Sequence, residues 1–283
     1  MADSVTSEVE ALTDWATADN RRFLHVVYRV GNLEKTIKFY TEALGMKLLR
    51  HRDIPADKYT NAFLGFGPEN THCVIELTYN YGVEKYNLGT AFGYFGIAVE
   101  DLKAAVDTVK AKGGQVVSEG NLPGQTKPSA VVEDPDGYKF ALIESGPVPD
   151  PFALIMLNVL DLDRAITFYE KAFGMRLVSS DSFPEEKVSI AYLGYGSDEK
   201  TTLLGLTSNH GVTEYERGNA YAQIAVGTDD VYKTAAILKE FDGKVTREPG
   251  PLPGINTKIT AVLDPEGWKT VFVDNADFLE ELP

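Results

Sequence analysis

The stretch that decides the fold is residues 33–46, LEKTIKFYTEALGM, because it recurs at residues 162–175 as LDRAITFYEKAFGM. In both stretches the apolar residues repeat every three or four positions, which is typical of one buried face of a helix. Asn32 precedes the first stretch as a helix N-cap, and Gly45 marks its end. The chain therefore contains an internal duplication with a shift of 129 residues.

Further landmarks follow the same register. The sequence LGFG at residues 64–67 corresponds to LGYG at 193–196, and after one inserted residue DPDG at 134–137 corresponds to DPEG at 264–267. The duplication thus covers most of the chain rather than one helix.

The domain boundaries follow from the repeat. The segment GPVPDP at residues 146–151 is rich in proline and predicts a linker between the copies. We therefore expect a polar N-terminal tail over residues 1–21, a first domain over 22–145 and a second domain over 152–283.

Length, composition and charge limit the function. The chain has 283 residues, which favours two domains, and 42 acidic against 27 basic residues give a net charge of −15. Such an acidic chain is repelled by nucleic acids and anionic membranes. The single Cys73 cannot form an internal disulfide, and the acidic first twenty residues are unlike a targeting peptide. We expect a cytoplasmic protein with neither a nucleic-acid nor a membrane partner.

The order of predicted elements gives the fold class. Residues 24–30 are apolar and β-branched, which indicates a strand before the first helix. A second helix follows Asp101 and stops at Gly113, and the turn at residues 134–137 leads into a last strand over residues 138–144. Each copy therefore reads as two βαβββ modules, and the chain as an α+β fold of four.

Two polar residues stand out in apolar strands. His25 and Arg29 share one face of the first strand, because side chains alternate along a strand. Glu76 stands in an apolar strand, where an unpaired carboxylate is costly. From the residues alone two interpretations stay open. His25 and Glu76 either form ordinary hydrogen bonds, inside the protein or at the rim of a cavity, or they belong to a metal site or an acid–base site.

Four segments carry a resemblance to a known family. They are LHVVYRV at residues 24–30, FYTEALGMKLLR at 39–50, ELTYNYG at 76–82 and EDPDGYK at 133–139. They closely resemble glyoxalase I, the lactoylglutathione lyase of the vicinal oxygen chelate superfamily, in the plant form that fuses two copies. The resemblance spans about residues 22–283. It implies that a glutamate removes a proton next to a carbonyl and that a divalent metal stabilises the enediolate.

The resemblance also implies four metal-ligand positions per copy, with each site built from half of each copy. Site one consists of His25, Glu76, Gln223 and Val271. Site two, which corresponds to the competent site of the plant enzymes, consists of Leu154, Gly205, Tyr94 and Ala141. All four ligand positions of site two are replaced, so no metal is expected there. The three polar residues of site one form a weak candidate set for a divalent metal.

The same resemblance argues against glutathione as a ligand. The family's arginine four residues after the first ligand is kept as Arg29 in the first copy but is Asn158 in the second. Loss of such a clamp costs on the order of 1.5 to 3 kcal/mol of binding for a peptide with carboxylates. The changes in site two predict a larger, more apolar cavity. The expected substrate-pocket residues are Arg29, Leu154, Met156, Asn158, Gly205, Ala141 and Val271.

Three functions stay open at this stage. The favoured one is a diverged glyoxalase I-like enzyme, similar to a plant variant that aromatises cyclic terpenoid hydroxyketones by isomerisation and dehydration. Its expected substrate is a small apolar α-hydroxyketone, without glutathione and with no metal or a weakly bound one. The alternatives are a conventional lactoylglutathione lyase acting on the methylglyoxal–glutathione hemithioacetal, and a catalytically inactive protein that binds small molecules.

The catalytic residues expected for the favoured function are Glu76, His25, Gln223 and Tyr94. Glu76 would remove the proton, and His25 or Gln223 would polarise the carbonyl oxygen. Tyr94 would donate a hydrogen bond in site two, or merely fill space there. Because the two copies pair within the chain, we expect a monomer.

Overall fold

The computed structural model describes residues 2–124, 126–196 and 201–283, with side chains from residue 9 onward. In the first copy the helices are α1 (Ala2–Ala18), α2 (Leu33–Glu42) and α3 (Leu102–Ala111). Its strands are β1 (Phe23–Arg29), β2 (Lys47–Ile54), β3 (Tyr59–Gly65), β4 (Val74–Asn80), β5 (Phe92–Val99), β6 (Gln115–Glu119), β7 (Ser129–Glu133) and β8 (Lys139–Glu144).

The second copy repeats this order. Its helices are α4 (Leu162–Lys171), α5 (Val231–Glu240) and α6 (Asn275–Glu280). Its strands are β9 (Phe152–Asn158), β10 (Arg176–Phe183), β11 (Val188–Gly194), β12 (Leu203–Asn209), β13 (Tyr221–Thr228), β14 (Lys244–Pro251), β15 (Lys258–Leu263) and β16 (Lys269–Asp274). The predicted α+β fold of four βαβββ modules is confirmed.

Two eight-stranded sheets form, and each takes half of its strands from each copy. The first sheet has the strand order β14-β15-β16-β13-β1-β4-β3-β2, and the second has β10-β11-β12-β9-β5-β8-β7-β6. In the first sheet β1 pairs parallel to β4 and antiparallel to β13, so the seam between the copies runs through its centre. The second sheet has the same seam between β5 and β9.

The helices begin and end where the sequence signals predict. The side chain of Asn32 accepts a hydrogen bond from the backbone N–H of Lys35 at the start of α2, and Asp161 accepts one from Arg164 at the start of α4. Gly45, just beyond α2, has a φ of 76°, a left-handed conformation that glycine adopts at little cost.

The N-terminal segment differs from the expected polar tail. Most of it forms α1, which lies against α5. Ala16 is buried, and the guanidinium of Arg21 lies over the Trp15 ring, 5.4 Å from its centroid. Arg21 also donates from Nη2 to the hydroxyl of Thr234 in α5 at 3.1 Å, so this segment joins the folded body through packing as well as hydrogen bonding.

Buried carboxylates fix the Asp-Pro turn in both copies. The hydroxyl of Tyr40 donates to Asp134 at 2.6 Å, and that of Tyr169 donates to Asp264 at 2.7 Å. Asp134 also accepts the backbone N–H of Tyr138 at 2.8 Å. The turn is therefore a structural feature in both copies, since its carboxylate is used to hold the backbone.

Candidate active site

Site one forms where the two copies meet in the middle of the first sheet. On β1, Val27 lies opposite Glu76 of β4 on one side and opposite Gln223 of β13 on the other. His25 lies two residues earlier on the same face. These polar residues and Val271 of β16 line one cavity of about 810 Å³. The structure therefore brings the predicted members of site one together.

Glu76 is held between two polar neighbours. Its Oε2 lies 3.3 Å from Nε2 of His25, and both side chains are only 13 % exposed. On the other side, Nδ2 of Asn61 in β3 donates a short hydrogen bond to Oε1 of Glu76. The carboxyl group is therefore fixed in orientation while it still lines the cavity.

The electrostatics of this pair favour acid–base chemistry over an ion pair. Burial, with smaller contributions from Arg50 and Arg22, lowers the pKa of His25 to about 3. Burial raises the pKa of Glu76 to about 7, although Arg50 opposes that shift. At neutral pH a neutral imidazole thus lies beside a carboxyl group that is close to half ionised, which is the pKa range that suits a general base.

The cavity walls are mostly apolar. The apolar lining residues are Ile54, Phe63, Ala225, Leu252, Ile255, Ile259, Ala261, Leu263, Val271, Val273 and Phe278. Phe278 comes from α6, and its ring centroid lies 6.3 Å from that of His25. This short C-terminal helix therefore forms part of the wall beside the polar pair.

Cations also line the cavity of site one. They are Arg50, Arg52, Arg247 and Lys269. Arg50 is paired with an acid, because it donates two hydrogen bonds of 2.6 Å to the carboxylate of Glu69, although its charge still helps to lower the pKa of His25. Burial, and secondarily the charge of Arg29, lower the pKa of Lys269. These four cations share the polar part of the wall with the carboxyl groups of Asp57, Glu76 and Glu281.

The donors of site one are too few for a strong divalent metal site. They amount to one imidazole, one carboxylate and one amide, since Val271 has no donor atom. Among the described residues no group of three His, Cys, Asp or Glu could hold a metal ion. The nearby charge of Arg50 also disfavours a cation. The donor set does not fit a tightly held metal, and weak binding by His25, Glu76 and Gln223 stays a prediction.

Site two, at the repeat-related place in the second sheet, is filled with side chains. Met156 lies opposite Gly205, and a Cβ added at Gly205 would lie 2.7 Å from Sδ of Met156. Leu154 is 4 % exposed, and Ala141 is fully buried. The prediction of a larger apolar cavity here is wrong, because the side chains of Met156 and Leu154 occupy the space that the small residues leave.

A smaller cavity of about 310 Å³ lies beside site two. Leu154 and Tyr192 line it, whereas Tyr94 and Gly205 do not. Tyr94 instead packs against the apolar cluster around Met156, and burial raises the pKa of its phenol well above the ordinary value. The expected catalytic set is therefore split between two sheets, with Tyr94 in the second.

Two expected pocket residues lie elsewhere. Arg29 donates from Nη1 to the carbonyl of Asn219 at 2.9 Å and lines a separate cavity of about 180 Å³. Asn158 donates from Nδ2 to the carbonyl of Thr90 at 3.0 Å. Neither residue lines the cavity of site one, because each side chain is held by a backbone carbonyl. Their assignment to the substrate pocket is corrected accordingly.

Most residues that line the cavity were not among the predicted site residues, and Asn61, Arg247 and Phe278 are three of them. The sequence contains a signal for one of these three. In the other copy Ile190 stands at the position of Asn61, whereas Arg247 corresponds to the polar Ser118. A polar residue in one copy opposite an apolar one in the other marks a difference between the two sites.

The fold and the cavity together define a class: a two-copy α+β protein of four βαβββ modules with a polar site built across the duplication. Comparison with protein families agrees. The model of the Glyoxalase/Bleomycin resistance protein/Dioxygenase superfamily matches residues 22–142 and again residues 152–272. This chain belongs to that family.

Within the family the chain is similar to plant glyoxalase I. It is 64 % identical over 99 % of its length to an Arabidopsis thaliana protein named "Probable lactoylglutathione lyase, chloroplastic", of which the match covers 80 %. A second lactoylglutathione lyase of Arabidopsis thaliana is 58 % identical, with 98 % of this chain and 99 % of that protein covered. The crystal structure of glyoxalase I from Zea mays has a TM-score of 0.92 and 56 % identity, with 95 % of this chain and 98 % of that chain covered.

Over the described part of the chain, none of the helices has the length and apolar character needed to cross a membrane. The first Arabidopsis relative carries the word chloroplastic in its name, which is said of that protein. Cytoplasmic location therefore stays a prediction.

Proposed function

We propose that this chain is a glyoxalase I-like enzyme that moves a proton at the carbon next to a carbonyl, in site one, on an apolar α-hydroxyketone and without glutathione. The observation that carries the proposal is the pair His25 and Glu76. It combines a neutral imidazole with a carboxyl group whose pKa is about 7, in a mostly apolar cavity of about 810 Å³.

The residues of site one suffice for the first step. The ionised carboxylate of Glu76 accepts the proton from the carbon between the hydroxyl and the carbonyl group. An N–H of Gln223 or His25 donates a hydrogen bond to the carbonyl oxygen, where negative charge develops. Asn61 keeps Glu76 in place during this transfer, since it already donates to Oε1.

Loss of water can follow from the enediolate: its oxygen re-forms the carbonyl group while a new carbon–carbon double bond forms and the leaving hydroxyl departs. Protonated Glu76 returns its proton to a hydroxyl group one carbon further along, which leaves as water. In a ring with enough unsaturation this elimination produces an aromatic ring with no change in oxidation state overall. A divalent metal, if bound, would supply further stabilisation of the oxygen anion, and the proposed steps do not depend on it.

A second candidate is a conventional lactoylglutathione lyase. The names of the relatives, at 64 % and 58 % identity, favour it over the first proposal. The cations Arg247 and Lys269 in the wall of site one could also face the carboxylates of glutathione. The absence of metal-binding donors from site two, and their shortage in site one, argue against it.

One set of assays separates the candidates. The purified chain is given methylglyoxal and glutathione with added Ni²⁺, Zn²⁺ or Mg²⁺, and in parallel a panel of cyclic α-hydroxyketones with and without chelator. Turnover of a hydroxyketone in the presence of chelator supports the first proposal. Robust lactoylglutathione formation supports the conventional enzyme. Binding without turnover of either would identify an inactive binding protein.

We also propose that the chain acts as a monomer, in the cytoplasm, on a small apolar substrate. Both sheets are completed within one chain, so neither site needs a second copy. Light scattering at micromolar concentration tests the oligomeric state, and a mass of twice 31.0 kDa would contradict this proposal.

A further inference from the structure

The short helix α6 covers the polar pair of site one. Phe278 of α6 is buried, and its ring centroid lies 6.3 Å from that of His25. The guanidinium of Arg22 lies 5.7 Å from the centroid of the same phenyl ring. The outer side of the helix faces solvent, since Leu279 is 54 % exposed. One short helix therefore lies between solvent and the wall of the cavity at His25.

Polar contacts hold α6 and the residue that follows it. Asp277 accepts hydrogen bonds from the backbone N–H and from Nζ of Lys258, at 2.8 and 2.6 Å. Glu281 accepts a hydrogen bond from the hydroxyl of Thr257, and its Oε2 lies 4.0 Å from Nη1 of Arg52. Arg52 belongs to β2, an outer strand of the first sheet, whereas α6 lies against β13 and β16 in the middle of that sheet. Glu281 therefore connects α6 to the far edge of the sheet.

The connection between Arg52 and Glu281 is loose. Both residues line the cavity of site one, and their side chains are 47 % and 22 % exposed. A partly exposed ion pair at this distance contributes little to stability, because water and salt screen it. A helix of six residues is also too short to be stable without its tertiary contacts. The ion pair can therefore open at small cost, and α6 can move with it.

In the second sheet an apolar contact closes the corresponding mouth. A Cβ added at Gly124 would lie 2.8 Å from the ring of Phe183, so the loop before β7 lies directly on the end of β10. In the first sheet the corresponding residues are Gly254 and Ile54. Among the described residues, a Cβ added at Gly254 would meet no atom within 4 Å. The mouth of site one is thus bridged by an ion pair, while an apolar contact closes the other cavity.

We propose that α6 is the gate of site one and that Glu281 is the latch of this gate. With the ion pair between Glu281 and Arg52 formed, Phe278 stays beside His25 and entry to the cavity is restricted. When the ion pair opens, α6 moves away together with Phe278 and a ligand enters. The inference concerns entry to site one, whatever reaction takes place there, so it goes beyond the proposed function.

A cysteine placed inside the cavity reports how often the gate opens. Val271→Cys puts a thiol on the cavity wall, and mass spectrometry follows its alkylation by N-ethylmaleimide, a small neutral reagent. The wild-type chain gives the blank, since its single thiol, Cys73, is buried. If Val271→Cys does not fold, Leu263→Cys on β15 places the reporter on the same cavity.

Removal of either partner of the latch should speed this reaction. In the reporter chain, Arg52→Met and Glu281→Gln should each raise the alkylation rate about two- to fivefold, the range for loss of a partly exposed ion pair. The two substitutions change the net charge in opposite directions, so a direct effect of charge on the thiol would have opposite signs. The matched control is Lys110→Met, which breaks the exposed ion pair between Lys110 and Glu119 on the second sheet and should leave the rate unchanged.

Salt gives an independent measurement. Raising NaCl from about 0.05 to 0.5 M should speed alkylation of the reporter with an intact latch, because salt screens the ion pair. The same change should have no effect in Arg52→Met or Glu281→Gln. The reagent is neutral, so salt does not alter its approach to the protein.

Three results would overturn the gate. They are unchanged alkylation rates in both latch variants, changes of opposite sign in the two, and an equal acceleration in Lys110→Met, which would show general loosening of the fold. Alkylation needs neither substrate nor turnover. A chain that converts no hydroxyketone could therefore still show the gate, and failure of the gate would leave the proposed function standing.

Discussion

Site one and site two occupy repeat-related places in the two sheets and have opposite contents. His25 and Glu76 in site one correspond to Leu154 and Gly205 in site two. The cavity of site one has a volume of about 810 Å³, while the one beside site two has about 310 Å³. Where polar side chains have been replaced, Met156 packs over the vacant position. The duplication thus allows one site to become part of the core while the other keeps its polar groups.

The chain after the last strand of each copy adds to this difference. After β16 the chain forms α6, and Phe278 from that helix lines site one. After β8 it becomes the linker, where Asp150 accepts hydrogen bonds from the backbone N–H groups of Cys73 and Phe152. The segment after β16 therefore covers the cavity of site one, whereas the corresponding segment after β8 connects the two domains.

The largest expected effect comes from removing the proposed base, Glu76, which tests whether the chemistry takes place in site one and not in site two. Glu76→Gln should lower kcat/KM for a hydroxyketone by about 10² to 10⁴, because the amide cannot accept the proton. A substitution in site two, Tyr94→Phe at the position that corresponds to Gln223, should change it less than twofold. Steady-state kinetics on both variants measure this. Activity that survives Glu76→Gln but not Tyr94→Phe would place the chemistry in site two.

The packing of site two predicts the next largest effect. Met156→Ala should lower the free energy of unfolding by about 2 to 5 kcal/mol, because it opens a void in a buried cluster. Val271→Ala, on the wall of the open cavity in site one, should cost only about 1 to 2 kcal/mol. Urea unfolding followed by fluorescence gives both values. Equal costs would mean that the two sites are packed alike.

The pKa of Glu76 gives a pH-dependent prediction. An unfolded glutamate loses its proton near pH 4.5 and folded Glu76 near pH 7, so wild-type stability falls as pH rises between these values. Glu76→Gln removes that penalty. Relative to wild type it should gain on the order of 2 to 3 kcal/mol at pH 8 compared with pH 4.

Unfolding curves at the two pH values test this, with Glu281→Gln as a control carboxylate at the cavity mouth. In the wild type the rate of proton abstraction should rise through pH 7 as Glu76 ionises. A pH-independent difference between Glu76→Gln and wild type would show that the carboxyl group is not desolvated.

The smallest expected effect concerns metal. Because site one has two strong donors and one amide, EDTA should change hydroxyketone turnover less than twofold. Elemental analysis of the purified chain checks occupancy in the same sample. Complete loss of activity with EDTA, restored by one divalent metal, would show that His25, Glu76 and Gln223 hold a metal after all.

Much of the fold and part of the site could be predicted from the sequence. The repeat, the element order and the capping residues are local patterns, and the membership of site one followed from a resemblance to a two-copy family. Arg29 and Asn158 could not be placed, because their direction depends on carbonyl groups from distant strands. Helix α1 was missed since its burial depends on packing against α5, far away in the chain.

The sequence by itself determined the duplication, the α+β modules, the missing ligands of site two and the polar residues of site one, because these depend on residue identity and local spacing. Only the tertiary structure decided that Met156 fills site two, that Asn61 fixes Glu76 and that Arg247 faces the same cavity from the other end of the sheet. Those features depend on which side chains meet in space, and sheet curvature brings together strands that lie up to about two hundred residues apart.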